Sequence, residues 1–161
     1  ALKDIVGVQF RNGATLGGSL WRRMGFSDVV TLFLAMESYV ELFDAGIVSL
    51  EEFVSMRYDN DLLVRLIVKK RPGAFAYKAV RKQRTDLPSL NCAASKLGDE
   101  YRVAMGSVAP TPLRLPKTEA LLSGKQLTPA LIEQAAELAR EPEQAALRMK
   151  ERLQAAMRLQ S

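Results

Sequence analysis

The sequence predicts an α+β fold, and three observations carry that reading. Helix-starting signals stand at Ser27, Ser49 and Thr128, and apolar runs bounded by glycine and proline lie between them. The length of 161 residues with 48% hydrophobic content is enough to bury a core for one domain or two small ones.

Taken in order, the chain first presents Arg11-Asn12-Gly13-Ala14-Thr15-Leu16-Gly17-Gly18-Ser19. The adjacent glycines leave the backbone free of Cβ atoms, so its N–H groups are able to close on a phosphate; on its own, such a pair reads equally well as a tight turn. Ser27 is placed to cap a helix through Met36 that is apolar almost all round and therefore buried. Asp28 falls in its first turn, where a carboxylate favours the positive helix end. Tyr39 to Phe43 alternates as a half-buried strand, Asp44-Ala45-Gly46 turns it, and Ile47-Val48 returns. Ser49-Leu50-Glu51-Glu52 is a capping box for a short helix through Phe53, and Leu62 to Val68 reads as another strand. Pro72-Gly73 ends this unit and sets the expected boundary between domains 1–72 and 73–161.

The second unit opens with a strand from Ala74 to Val80. A loop from Arg81 to Pro88 leads to a hairpin: Leu90 to Leu97, a turn at Gly98-Asp99, then Tyr101 to Val108. The expected result is a three-stranded antiparallel sheet packed with helices. Pro110, Pro112 and Pro116 stiffen the next connection, and a short helix from Thr118 to Leu122 ends at Gly124. Thr128-Pro129 pairs a cap with a first-turn proline and starts a helix through Arg140. After Pro142, Ala145, Ala146, Met149, Leu153, Ala156 and Met157 recur at helical spacing, and this amphipathic stripe is expected to pack on the sheet.

Composition removes several chemistries. With no histidine there is no His-based triad, His-ligated zinc or imidazole shuttle. One cysteine, Cys92, allows no internal disulfide, points to the cytoplasm, and in an alternating run reads as a small buried residue. No apolar run reaches the length of a membrane span, and no charged-then-apolar leader is expected. The net charge of +5 is spread over Arg22-Arg23, Lys69-Lys70-Arg71 and Arg81-Lys82-Gln83-Arg84 without interleaved aromatics, so a nucleic-acid surface is not expected.

Four features occur in a telling order: FRNGATLGGS at residues 10–19, Asp28 nine residues after Ser19, the Lys78-(x)7-Asp86 spacing, and MGSVAPTPLR at 105–114. Together they resemble the FAD-binding (medium) subunit of the molybdenum hydroxylases, the family of xanthine dehydrogenase and carbon monoxide dehydrogenase, whose corresponding stretches read IRN-ATLGGN and GGVAPTP-R. The resemblance covers about Val6 to Ala139. It implies part of an FAD-binding α+β subdomain of the PCMH type, followed by a C-terminal domain like that of the carbon monoxide dehydrogenase flavoprotein. Such subunits begin with a further small domain carrying its own Gly-Gly loop, so this sequence is expected to be a fragment or a degenerate relative, inactive by itself. The aspartate–arginine–tyrosine stretch that precedes the family's final helix is not found after Ala139.

The implied function is electron transfer, from 2Fe-2S clusters on an iron–sulfur subunit to NAD or another acceptor, beside a molybdopterin-carrying subunit. The resemblance assigns Thr15, Leu16, Gly17, Gly18 and Ser19 to the FAD pyrophosphate and Asp28 to a ribose or ribityl hydroxyl. It places Leu63 against the flavin ring. Lys78 is assigned to negative charge on the reduced flavin or to a pair with Asp86 that holds the neighbouring loop; by spacing alone, both are ordinary exposed charges. No catalytic side chain and no metal ligand is implied, because the flavin does the redox work. A cofactor-free module for subunit docking is the alternative. Ile5, Val6, Val8 and Phe10 are expected to face the first domain, and to promote self-association without it.

Overall fold

The computed structural model describes residues 2 and 5–140. The helix expected after residue 142 lies outside them. Three short helices come first, α1 (Val8–Gly13), α2 (Leu16–Arg22) and α3 (Asp28–Leu34). Strands β1 (Ser38–Leu42) and β2 (Gly46–Ser49), helix α4 (Leu50–Ser55) and strand β3 (Leu63–Val68) complete the first half. A meander of β4 (Ala74–Val80), β5 (Leu90–Leu97), β6 (Glu100–Gly106) and the two-residue β7 (Leu113–Arg114) follows, with α5 (Pro116–Leu122) and α6 (Pro129–Ala139) behind it.

Local chemistry sets most of these limits. Ser27, Ser49 and Thr128 accept from the N–H groups of Val30, Glu52 and Leu131, satisfying donors that a helix start leaves unpaired. Gly98 takes φ +67 in the β5–β6 turn, a conformation that costs other residues more. The β1–β2 turn draws on a distant residue as well: both carboxylate oxygens of Asp61 accept, from Asp44 N at 2.9 Å and Ala45 N at 3.0 Å.

Two antiparallel sheets result, ordered β2-β1-β3 and β4-β5-β6-β7. The first has Val40 opposite Leu66; in the second, Ala93 faces Ala104. Those alanines have no exposure, and their small side chains let α3 lie close over β5 and β6. Val30 and Leu34 of α3 thus share one core with Leu20, Val40, Leu50, Phe53, Ala93 and Ala104. On the other face of the second sheet, Tyr101, Val103 and Met105 pack with Leu115, Leu122 and Ala135. Alternation along β6 divides the residues between the two cores.

Three sequence expectations change. The glycine-rich stretch at 15–19 is the start of α2 rather than a loop, because the Thr15 side chain caps it. Strand β6 stops at Gly106, short of Val108, where Ser107 takes φ +69. The three expected strands of the second sheet are joined by β7, pairing with Ala104 and Met105, inside the proline-stiffened connection.

Candidate functional site

The starts of α2 and α3 open on one cavity of about 440 Å³, mostly apolar, with Thr15, Gly18, Ser19 and Asp28 in its wall. The turn between the helices makes this convergence possible. Arg23 ends α2 in the left-handed conformation, φ +46, and the chain doubles back through Gly25. A Cβ on Gly25 would lie 2.2 Å from Ala109 O, so the backbones meet there only because the residue is glycine.

In the first turn of α2, Thr15 Oγ1 accepts from Gly18 N at 3.0 Å, and Thr15 O accepts from Ser19 Oγ at 3.1 Å. Leu16 and Gly17 stand ahead of Gly18 at this helix start, where N–H groups have no intrahelical acceptor and favour an anion. The two glycines differ in role. A Cβ at Gly18 would fall 2.9 Å from Thr15 Oγ1 and disturb the cap, whereas one at Gly17 would meet only Leu63 Cδ2 at 3.9 Å. Neither has a positive φ. Leu63 therefore lies behind α2, half-buried against the first core, and not in the cavity wall.

Asp28 is buried, and its Oδ1 accepts from Tyr77 Oη and from Arg81 Nη2. Burial and the adjacent carboxylate push the Tyr77 phenol well above its ordinary pKa, so Tyr77 acts here as a donor. Arg81 also gives Nη1 to Asp86 O at 2.6 Å, while the Asp86 carboxylate accepts from Gln83 N at 3.0 Å. Asp86 thereby shapes its own loop, and the Lys78–Asp86 pair is not formed. Lys78 is exposed, opposite Cys92 in register, and alternation puts it on the face of β4 away from Tyr77.

Asn91 holds the cavity wall from below. Its Oδ1 accepts from Thr31 Oγ1 at 3.0 Å and its Nδ2 donates to Phe26 O at 3.4 Å. Gly106 leaves room for this arrangement, since a Cβ would sit 2.2 Å from Asn91 Oδ1. Tyr77, Asn91 and Gly25 escaped the sequence reading of the site. The only local signal was the inward phase of Tyr77 on its strand.

Comparison with known proteins shows the family. Residues 1–70 match the FAD binding domain in molybdopterin dehydrogenase. Residues 75–160, more than half of the chain, match the CO dehydrogenase flavoprotein C-terminal domain. The chain belongs to the flavoprotein family of the molybdenum hydroxylases.

Solved structures agree with membership of this flavoprotein family. Carbon monoxide dehydrogenase from Hydrogenophaga pseudoflava, lacking the Mo-pyranopterin moiety of the molybdenum cofactor, matches with TM-score 0.75 and 27% identity, over 85% of this chain and 53% of that one. Reconstituted CO dehydrogenase from Oligotropha carboxidovorans gives 0.76 and 20%, over 91% and 60%. Quinoline 2-oxidoreductase from Pseudomonas putida 86 gives 0.73 and 22%, over 86% and 53%. The last two likenesses bear on fold alone, and the chain spans roughly half to three-fifths of these flavoprotein-fold relatives. No curated protein matches it. Among the described residues, no helix is long and apolar enough to cross a membrane.

Proposed function

We propose that this chain supplies one side of an FAD site in the electron-transfer subunit of a molybdenum hydroxylase. Residues 1–72 would form the second part of the FAD-binding domain and 73–161 the C-terminal flavoprotein domain. The observation that carries the reading is the convergence of two helix starts, at Thr15 and Asp28, on one largely apolar cavity. The residues fit part of the cofactor: a polar rim for phosphate and hydroxyl groups, and apolar walls for a ring system.

Leu16 and Gly17 would turn backbone N–H groups toward the pyrophosphate, Gly18, whose own N–H is taken by Thr15 Oγ1, would let it approach closely, and the Thr15 and Ser19 hydroxyls would stand beside them. Asp28 would accept from a ribose or ribityl hydroxyl, held in place by Tyr77 and Arg81. Leu63 supports Gly17 from behind, Asp86 shapes the loop next to the cavity-lining Leu87, and Lys78 adds positive charge on β4. Bound FAD supplies the redox chemistry, accepting and passing on electrons. In the whole enzyme we assign the electron source to 2Fe-2S clusters on an iron–sulfur subunit, next to a molybdopterin-binding subunit. The acceptor is NAD, as in xanthine dehydrogenase, or another oxidant, and the setting is the cytoplasm.

FAD titrated into the chain, alone and with the amino-terminal subdomain of such a subunit, tests this reading. A shift of the visible flavin band is expected, weak for the chain alone, strong with the subdomain, and lost in Gly18→Val. No shift in either form would overturn it in favour of a cofactor-free docking module.

A further inference from the structure

Ser107 follows β6 with φ +69, a left-handed conformation that glycine adopts freely and a residue with a Cβ adopts under strain. Its two donors go to two parts of the cavity wall. Ser107 N donates to Gly25 O at 2.7 Å, between the lining residues Met24 and Phe26. Ser107 Oγ donates to Pro88 O at 2.8 Å, next to the lining residue Leu87. Pro88 is buried, and a buried carbonyl calls for a donor. At its other end the same loop is fastened by Arg81, bound to Asp28 and to Asp86 O. Residues 81–88 therefore run from β4 to β5 held at both ends, with the half-exposed Leu87 beside the cavity.

Glycine at position 107 would meet this backbone with less strain and keep the bond to Gly25. It would lose only the hydroxyl. The serine thus serves the loop at the expense of its own backbone. We propose that Ser107 is a positioning residue for the ligand of this cavity: its hydroxyl pins loop 81–88 at Pro88, keeps Leu87 against the opening and slows ligand release. The inference rests on the flavin reading of the cavity.

The loop carries Arg81, Lys82 and Arg84, so its tethering is readable without any flavin as the rate of trypsin cleavage within 81–84. The test compares the full chain, joined by the amino-terminal subdomain and loaded with FAD, with Ser107→Gly, Ser107→Ala and Ser107→Asn. Glycine and alanine variants are expected to be cut several-fold faster, and to release FAD several-fold faster on dilution, read as recovery of flavin fluorescence. Ser107→Gly should do so while melting no lower than the parent, which separates the pin from general stability. Asparagine tolerates the left-handed conformation and offers an N–H donor, so Ser107→Asn should restore both rates. Unchanged cleavage in Ser107→Gly would overturn the pin. Faster cleavage with unchanged FAD release would overturn the positioning role. If the parent binds no FAD, the flavin reading falls and the ligand half of the proposal with it, while the cleavage rates still decide the pin.

Discussion

Arg81 Nη2 lies 2.6 Å from Asp28 Oδ1, in an ion pair whose side chains are only 8% and 5% exposed. The pair joins the start of α3 to the loop after β4. Removing one member leaves the other charge buried without an opposite charge, with only the Asp86 carbonyl beside Arg81 or the Tyr77 hydroxyl beside Asp28, at a cost of about 3–5 kcal/mol. Asp28→Ala is therefore expected to destabilise the protein by that amount in urea unfolding, and Asp28→Ala combined with Arg81→Leu by clearly less. Equal losses in the single and double variants would mean that the pair does not carry the link.

The two glycines of α2 are expected to respond in opposite directions. Gly17→Ala meets nothing closer than 3.9 Å and should stabilise the protein by about 0.5 kcal/mol, through a less disordered unfolded chain. Gly18→Ala pushes on Thr15 Oγ1 and should cost about 1 kcal/mol, the usual value of a helix cap. Thermal unfolding of both variants decides the matter.

Arg23 is buried at the end of α2, donating to Phe53 O at 2.7 Å and Met56 O at 2.9 Å. Its guanidinium lies 4.0 Å from the Tyr58 ring centroid and 4.5 Å from that of Phe53. Arg23→Ala removes the donors that meet the end of α4 and should cost about 3 kcal/mol. Arg23→Lys should recover less than half of this, because an ammonium lacks both the Nε–H that meets Trp21 O at 3.3 Å and the planar face that lies over Tyr58 and Phe53. Recovery of full stability by lysine, in a denaturant titration, would count against the cage.

Glu37 is held at a pKa of about 2 by hydrogen bonds from Lys69 and Arg71. Its folded value lies below the ordinary 4.5, so the stability it contributes is complete above about pH 4.5 and is lost as the pH falls toward 2. Urea midpoints followed across that window should fall in the parent and fall less in Glu37→Gln. Salt at about 1 M should shrink the difference, since the network is at the surface.

The sequence by itself determined the elements whose causes are local. Ser27, Ser49 and Thr128 each cap a helix three residues on, and Gly98 turns its hairpin, so neighbouring residues suffice to place α3, α4, α6 and the β5–β6 hairpin. The motif order also carried the family. What only the tertiary structure decided is how the site is held. Asp28 finds Tyr77 and Arg81 at separations of 49 and 53 residues, and Thr31 finds Asn91 at 60. Lys78 and Asp86 have a suggestive spacing, yet the pleat turns Lys78 to the other face and Asp86 caps its own turn. Strand β7 and the left-handed Ser107 likewise depend on partners across the sheet and the cavity. Caps and turns are contacts between near neighbours, which a local pattern encodes; a buried charge or a strained backbone is stabilised by groups that only folding brings within reach.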